Sequence, residues 1–219
     1  MPGRRDLRGL ADGHPPRVRV ARAVATLALL LATLLNTLPA ARAEPAALRG
    51  VALVDHRGQS VRPASFDGRL LLLHFVFTGC SSTCPTQVHE LAWVHDALPH
   101  SARQAVQILS VSVDPLSDTP AALAAFARRM DAERPQWRYA TGAPTQVERL
   151  TDRMAAMAPA AATGRAARPE DHRTSIWLFD ARGDLVQRYA GVPVDRARLA
   201  REITQLAAAP ALLPVRHAR

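Results

Sequence analysis

Cys80 and Cys84, in the run Cys80-Ser-Ser-Thr-Cys84-Pro85, are the only two cysteines in a chain of 219 residues. Thiolates attack disulfides and bind soft metal ions. This pair can therefore exchange disulfides, close a ring, or hold one metal ion between two sulfurs. A purely structural crosslink is the weaker reading, because so short a loop removes little entropy from the unfolded chain. Two cysteines cannot staple a small disulfide scaffold or supply four thiolates to zinc. Their setting sharpens the reading. Leu70 to Phe77 is an almost unbroken apolar run, as expected of a strand buried on both faces. Pro85 suits the first turn of a helix. The loop 79–84 then joins a strand end to a helix start, at the sheet edge where open α/β folds bind ligands. The partial positive charge of a helix N-terminus favours thiolate over thiol there.

Two thiolates alone hold Cu(I) poorly against competing ligands, and an imidazole would complete a site suited to copper. The chain offers eight histidines. His89 and His95 lie six apart on the helix after Pro85 and cannot face one point together. His74 is inside the strand, His56 in a turn, His14 near the N-terminus, and His100 and His217 in polar or terminal surroundings. His172 precedes the apolar segment beginning at Thr174, which in a fold of this order neighbours the cysteine strand. On position alone, His172 is equally well read as a ligand or as a solvated loop histidine. Met154 and Met157 fall at helical spacing and are read as core residues rather than thioether ligands. Asp114 and Asp118 are read as a turn residue and a helix cap.

The elements around these residues follow from periodicity. Val51 to Asp55 and Ser60 to Arg62, split by His56-Arg57-Gly58, predict a small hairpin. Leu70 to Phe77, a helix from Pro85 with Val88, Leu91, His95 and Leu98 inward, and Val106 to Val113 predict a βαβ unit. Thr119-Pro120 opens a second helix with Leu123, Phe126 and Met130 on one face. Trp137 to Ala140 reads as a short strand, and Pro144 opens a third helix. Residues 158–170 read as a loop. Thr174 to Phe179 and Leu185 to Tyr189 read as a hairpin, and Asp195 to Leu206 as a terminal helix. This order predicts an α/β, thioredoxin-like fold: a central mixed sheet flanked by helices, with an added N-terminal hairpin.

Charge excludes one class of function. The net charge of +9 comes from 28 basic and 19 acidic residues. Every basic residue is Arg, none in a run longer than two. Residues 1–43 hold seven arginines and two acids, which leaves 21 against 17 and an ordinary +4. No nucleic-acid partner is expected. Residues 1–43 instead read as an address. A basic flank at Arg17, Arg19 and Arg22 precedes the charge-free stretch Ala23 to Leu38, then Pro39 and Ala41-Arg42-Ala43. This is the order of a secretory signal peptide. At 16 residues the apolar stretch is short for a membrane span, which favours cleavage over anchoring. The expected organisation is a leader over 1–43, one domain over 44–209 and a tail over 210–219. The expected location is periplasmic or otherwise extracytoplasmic, membrane-anchored if the leader stays uncut.

From Leu48 to Leu206 the chain resembles the Sco/SenC family of copper-binding, thioredoxin-like proteins. The motifs that carry the resemblance are His74-Phe-Val-Phe-Thr-Gly-Cys80-Ser-Ser-Thr-Cys84-Pro85-Thr86, Ser110-Val-Ser-Val-Asp114-Pro115 with Asp118-Thr119-Pro120, and Asp171-His172 before Ile176-Trp-Leu-Phe-Asp180. The resemblance implies one copper ion held by Cys80, Cys84 and His172. It also implies a role in maturing the binuclear copper centre of cytochrome c oxidase, with that enzyme's copper-bearing subunit and a copper donor protein as partners. Ser81, Ser117 and Arg173 depart from residues common in the family, though none removes a ligand.

The rival readings are enzymes. A thiol-disulfide oxidoreductase would use Cys80 and Cys84 as its redox-active pair. However, three residues separate the cysteines instead of the usual two, and no proline stands near Thr174 to Ile176 to grip a substrate chain. A peroxidase of peroxiredoxin type wants Thr three before the reactive cysteine, where this chain has Ser81.

Overall fold

The computed structural model describes residues 45–157 and 174–209. The expected leader over 1–43, the loop 158–170, His172 and the tail 210–219 lie outside the described residues.

The strands are β1 (Leu53–Asp55), β2 (Ser60–Val61), β3 (Leu70–Val76), β4 (Val106–Ser112), β5 (Trp137–Thr141), β6 (Ile176–Phe179) and β7 (Leu185–Tyr189). The α-helices are α1 (Thr83–Ala97), α2 (His100–Ala105), α3 (Pro120–Arg129), α4 (Pro144–Ala156) and α5 (Arg196–Ala208). The strands form one sheet in the order β2-β1-β5-β4-β3-β6-β7. β3 pairs parallel to β4, and β4 to β5, whereas β6 and the N-terminal hairpin join antiparallel. The expected mixed α/β architecture is therefore present, hairpin included.

The central pair explains why the apolar runs were legible. Every residue of β3 and of β4 is buried. Successive side chains alternate between the two faces. Leu70, Leu72 and Val76 pack with Val88 and Leu91 of α1, Leu123 and Phe126 of α3, and Leu199 and Ile203 of α5. Leu71, Leu73 and Phe75 pack on the other face with Val147, Leu150 and Met154 of α4. Met154 is fully buried and Met157 packs at the edge of that cluster, as core residues should.

Three local readings are corrected. The first helix begins at Thr83, not at Pro85, so Cys84 sits in its first turn and the connecting loop is shorter. The short helix α2 was not expected from the sequence. Asp118 is not the cap of α3: Thr119 takes that place, its hydroxyl accepting the Ala122 N–H at 3.2 Å.

His74 lies on the β3 face toward α1, wholly buried beside Gln87 and Ser110. Burial among neutral groups pushes its pKa down to about 4, against a smaller upward effect of the Gln87 hydrogen bond. The unfolded chain, with an ordinary imidazole, then binds the extra proton between about pH 6.5 and pH 4. The stability tied to neutral His74 is complete above about pH 6.5 and is lost as the pH falls toward 4, by about 3 kcal/mol. Denaturant midpoints measured across that window should flatten in His74→Leu. An equally steep acid loss in that variant would assign it to other groups. Among the described residues, no helix is long and apolar enough to cross a membrane.

Candidate metal centre

The two cysteines lie where β3 ends and α1 begins. The α1 N-cap, Ser82, offers no side-chain acceptor to the first turn. The Cys80 sulfur supplies one instead, accepting the Cys84 N–H at 3.3 Å. One of the orphan amides of the helix N-terminus is thus aimed at a thiol. Both cysteines are free; Cys84 is buried and Cys80 partly exposed.

Their surroundings divide the two thiols. Burial pushes Cys80 up, but N–H groups of Cys84, Ser82 and Thr83 and the Cys84 thiol outweigh it and hold it below its ordinary value. Cys84 is pushed up to about 12, chiefly by burial, then by its hydrogen bond to Cys80. Of the two thiols, Cys80 gives up its proton more easily than an ordinary cysteine and Cys84 holds its own. Such a pair suits a soft metal ion or thiol–disulfide exchange.

The thiols open into a cavity of about 170 Å³ lined by Phe75, Val76, Phe77, Cys80, Thr83, Cys84, Gln87, Val113 and Thr174. The lining comes from the carboxyl ends of β3 and β4, the first turns of α1 and the approach to β6. β6 runs antiparallel to β3, with His74 opposite Ile176, so Thr174 stands at the cysteine end of the sheet. Gln87, one turn after Cys84, donates to the Thr174 carbonyl at 2.6 Å. The backbone of Gly191 presses against the same junction. A Cβ there would lie 1.3 Å from the Thr174 oxygen and 2.1 Å from Gln87 Nε2.

A buried carboxyl group lies near enough to Cys84 to act on it electrostatically. Asp118 is 1% exposed. It accepts the Thr78 N–H at 3.0 Å, the Thr78 hydroxyl at 2.6 Å and the Ser112 hydroxyl at 2.5 Å. It ties the segment before α3 to the loop that carries Cys80. Asp118→Ala would leave these buried donors unpaired and should cost about 3 kcal/mol, read from denaturant midpoints. A loss under about 0.5 kcal/mol would contradict this clamp.

The structure thus brings Cys80 and Cys84 together and places Thr174 in the wall of the cavity beside them. His172 itself lies outside the described residues. Among the described residues no cluster of three or more His, Cys, Asp and Glu is placed to hold a metal. Sequence reasoning missed Gln87 and Gly191 and read Asp118 as a helix cap. One signal was present for Gln87: a polar residue within the inward stripe of Cys84, Val88 and Leu91. Ser110 and Ser112, alternating within an otherwise apolar strand, were a similar signal.

A family model described as SCO1/SenC matches residues 41–208. The chain is 35% identical over 100 residues to the mitochondrial protein SCO2 homolog of Bos taurus, covering 45% of this chain and 36% of that one. It is 28% identical over 139 residues to the SCO1 protein homolog of Bacillus subtilis, covering 62% and 69%. The alignments span from about a third to about two thirds of the curated relatives' own lengths. Among solved structures, it matches BsSco, a member of the Sco family of cytochrome c oxidase assembly proteins in which a disulfide switch was identified. That match has a TM-score of 0.60 and 22% identity, over 78% of this chain and 96% of BsSco. Yeast Sco1 with copper bound matches with a TM-score of 0.59 and 19% identity, over 77% and 95%. Bradyrhizobium japonicum ScoI with copper bound gives 0.56 and 23%, over 71% and 96%. At these identities the structural likeness establishes the fold.

Proposed function

This chain belongs to the SCO1/SenC family, and from that premise we propose that it binds one copper ion through Cys80, Cys84 and His172. Its role on this reading is to deliver that copper outside the cytoplasm during maturation of the binuclear copper centre of cytochrome c oxidase. The observation that carries the reading is the pair of free thiols at the α1 N-terminus, facing a cavity whose wall includes Thr174. His172 is two residues before Thr174, within about 7 Å of extended chain. Two sulfurs and an imidazole suit Cu(I), whereas structural zinc is usually closed by four ligands. Relatives solved with copper bound share the fold.

The test is metal analysis of the reduced, purified protein with and without His172. One copper per chain is expected after reduction, and none once Cys80 and Cys84 are joined as a disulfide, because only free thiolates ligate. His172→Ala should lower copper affinity by at least about tenfold, about 1.4 kcal/mol. Disulfide exchange at Cys80 and Cys84 should stay within a few-fold of the parent, since it depends on thiolate fraction and access. Unchanged affinity with slowed exchange would remove His172 from the ligand set. Copper uptake by the oxidised form would remove the cysteines.

The unequal thiols favour a second reading, a thiol-disulfide oxidoreductase. The Cys80 thiolate would attack a substrate disulfide and release one substrate thiolate, which takes up a proton. Cys84, losing its proton, would then displace the second substrate sulfur and leave a Cys80–Cys84 disulfide. The His172→Ala comparison separates the two readings.

A further inference from the structure

Buried polar side chains from four elements form one line of hydrogen bonds between the sheet interior and the thiol cavity. The Trp137 indole N–H donates to Ser110 Oγ at 2.8 Å. Ser110 Oγ lies 2.6 Å from His74 Nε2, and His74 Nδ1 lies 2.8 Å from Gln87 Oε1. The Gln87 amide then donates to the Thr174 carbonyl. Trp137, Ser110 and His74 are fully buried and Gln87 is 1% exposed.

The donor inventory gives this line a direction. An indole nitrogen only donates, and a main-chain carbonyl only accepts. With its NH₂ end on Thr174, Gln87 turns its oxygen to His74 and must accept. His74 therefore carries its proton on Nδ1 and accepts the Ser110 hydroxyl at Nε2. Each donor points the same way, from Trp137 toward Thr174, and every acceptor on the way is used. The imidazole is held as one neutral tautomer, in keeping with its strongly depressed basicity.

We propose that Ser110, His74 and Gln87 are positioning residues of the copper site, holding the Thr174 carbonyl at a fixed distance from the cysteine-bearing helix. The proposal rests on the copper-site reading above. Well-packed apolar side chains would satisfy the core as well as this line does. The line, however, ends on the main chain of a residue that lines the cavity. Gln87 is also one helical turn from Cys84, so it couples that helix directly to β6. The missing Cβ of Gly191 leaves room for the Gln87–Thr174 bond. Thr174 walls the thiol cavity, so a shift of that carbonyl changes the space beside both sulfurs. Groups that orient metal ligands commonly change affinity by about tenfold or more when removed.

The test uses the reduced full chain and the variants Ser110→Ala, Ser110→Thr and Gln87→Met. The first readout needs no metal. Nitrogen NMR of His74 in the parent protein should show the neutral form protonated on Nδ1, and protonation on Nε2 would overturn the line. The second readout is Cu(I) affinity against a competing chelator. It should fall about tenfold in Gln87→Met and by a smaller factor in Ser110→Ala, with recovery in Ser110→Thr. Alkylation rates of Cys80 and Cys84 should stay within about two-fold, which a loosened fold would not allow. Parental copper affinity in folded Gln87→Met and Ser110→Ala would overturn the positioning role. A parent that binds no copper would overturn the copper-site reading and the positioning role with it, while the tautomer result would still judge the line of bonds.

Discussion

Cys84→Ser is expected to lower Cu(I) affinity of the reduced protein by about a thousandfold, about 4 kcal/mol, and Cys80→Ser by a similar amount. Serine offers a protonated, hard oxygen where a soft thiolate stood, and a single sulfur cannot chelate. This loss should exceed that of His172→Ala, since on the proposed ligand set the soft thiolates are the donors that favour Cu(I). The two single variants should part in their chemistry. With Cys84 removed, Cys80 keeps its place among the first N–H groups of α1 and should still alkylate quickly at neutral pH. With Cys80 removed, the remaining Cys84 thiol is buried, and burial pushes its pKa up. It should alkylate slowly. Chelator competition and timed alkylation on the same preparations check both statements. Copper affinity within tenfold of the parent in both variants would move the metal away from this pair.

Gly191→Ala is expected to destabilise the fold through a clash with main-chain atoms. The new methyl would stand 1.3 Å from the Thr174 oxygen and 2.4 Å from its carbon. Those are main-chain atoms and cannot swing aside as a side-chain tip would. Either the segment after β7 or the approach to β6 must move. The expected loss is roughly 3 kcal/mol, the upper part of the usual overpacking range. In a domain of this size that lowers Tm by about 6–12 °C. Gly79→Ala is the contrast, since its Cβ would meet only the Phe77 ring at 3.6 Å, an ordinary contact. Calorimetry of both variants is the check, and equal melting temperatures would refute the close approach at Gly191. Copper affinity should fall in Gly191→Ala as well, because the displaced atoms include the Thr174 wall of the cavity.

The contrast between these glycines marks what the sequence could disclose. β3 and β4 were readable because burial on both faces leaves a largely apolar run, as in Leu70 to Val76. α4 was readable because Val147, Leu150 and Met154 recur at helical spacing. The cysteine pair was readable because its residue types and the following proline are local. α2 was not, since six residues with only Ala102 buried leave almost no periodic signal. Asp118 was misread because an acid before Thr119-Pro120 looks like a cap. Its true partners, Thr78 and Ser112, come from two other strands' ends. Gln87, Ser110 and His74 stood out as polar residues in apolar stretches, but nothing local says that they meet one another. Gly191 left no signal, because its role is set by the carbonyl of Thr174, a residue distant in sequence.

The order of the sheet also governs when the protein can exist during synthesis. β1 does not pair with the strand that follows β2 in sequence but waits for β5, Val54 lying opposite Thr141. β3, which leads into the thiols, is flanked on one side by β4 and on the other by β6, Leu71 lying opposite Phe179. A nascent chain that ends before about residue 179 therefore exposes one hydrogen-bonding edge of its most apolar strand. Such long-range pairings are slow to form, because the loops must close before the contacts reward them. Growing from its N-terminus, this chain reaches Cys80 and Cys84 well before Thr174, one wall of their cavity. Until then the Thr174 side of the thiol cavity is missing.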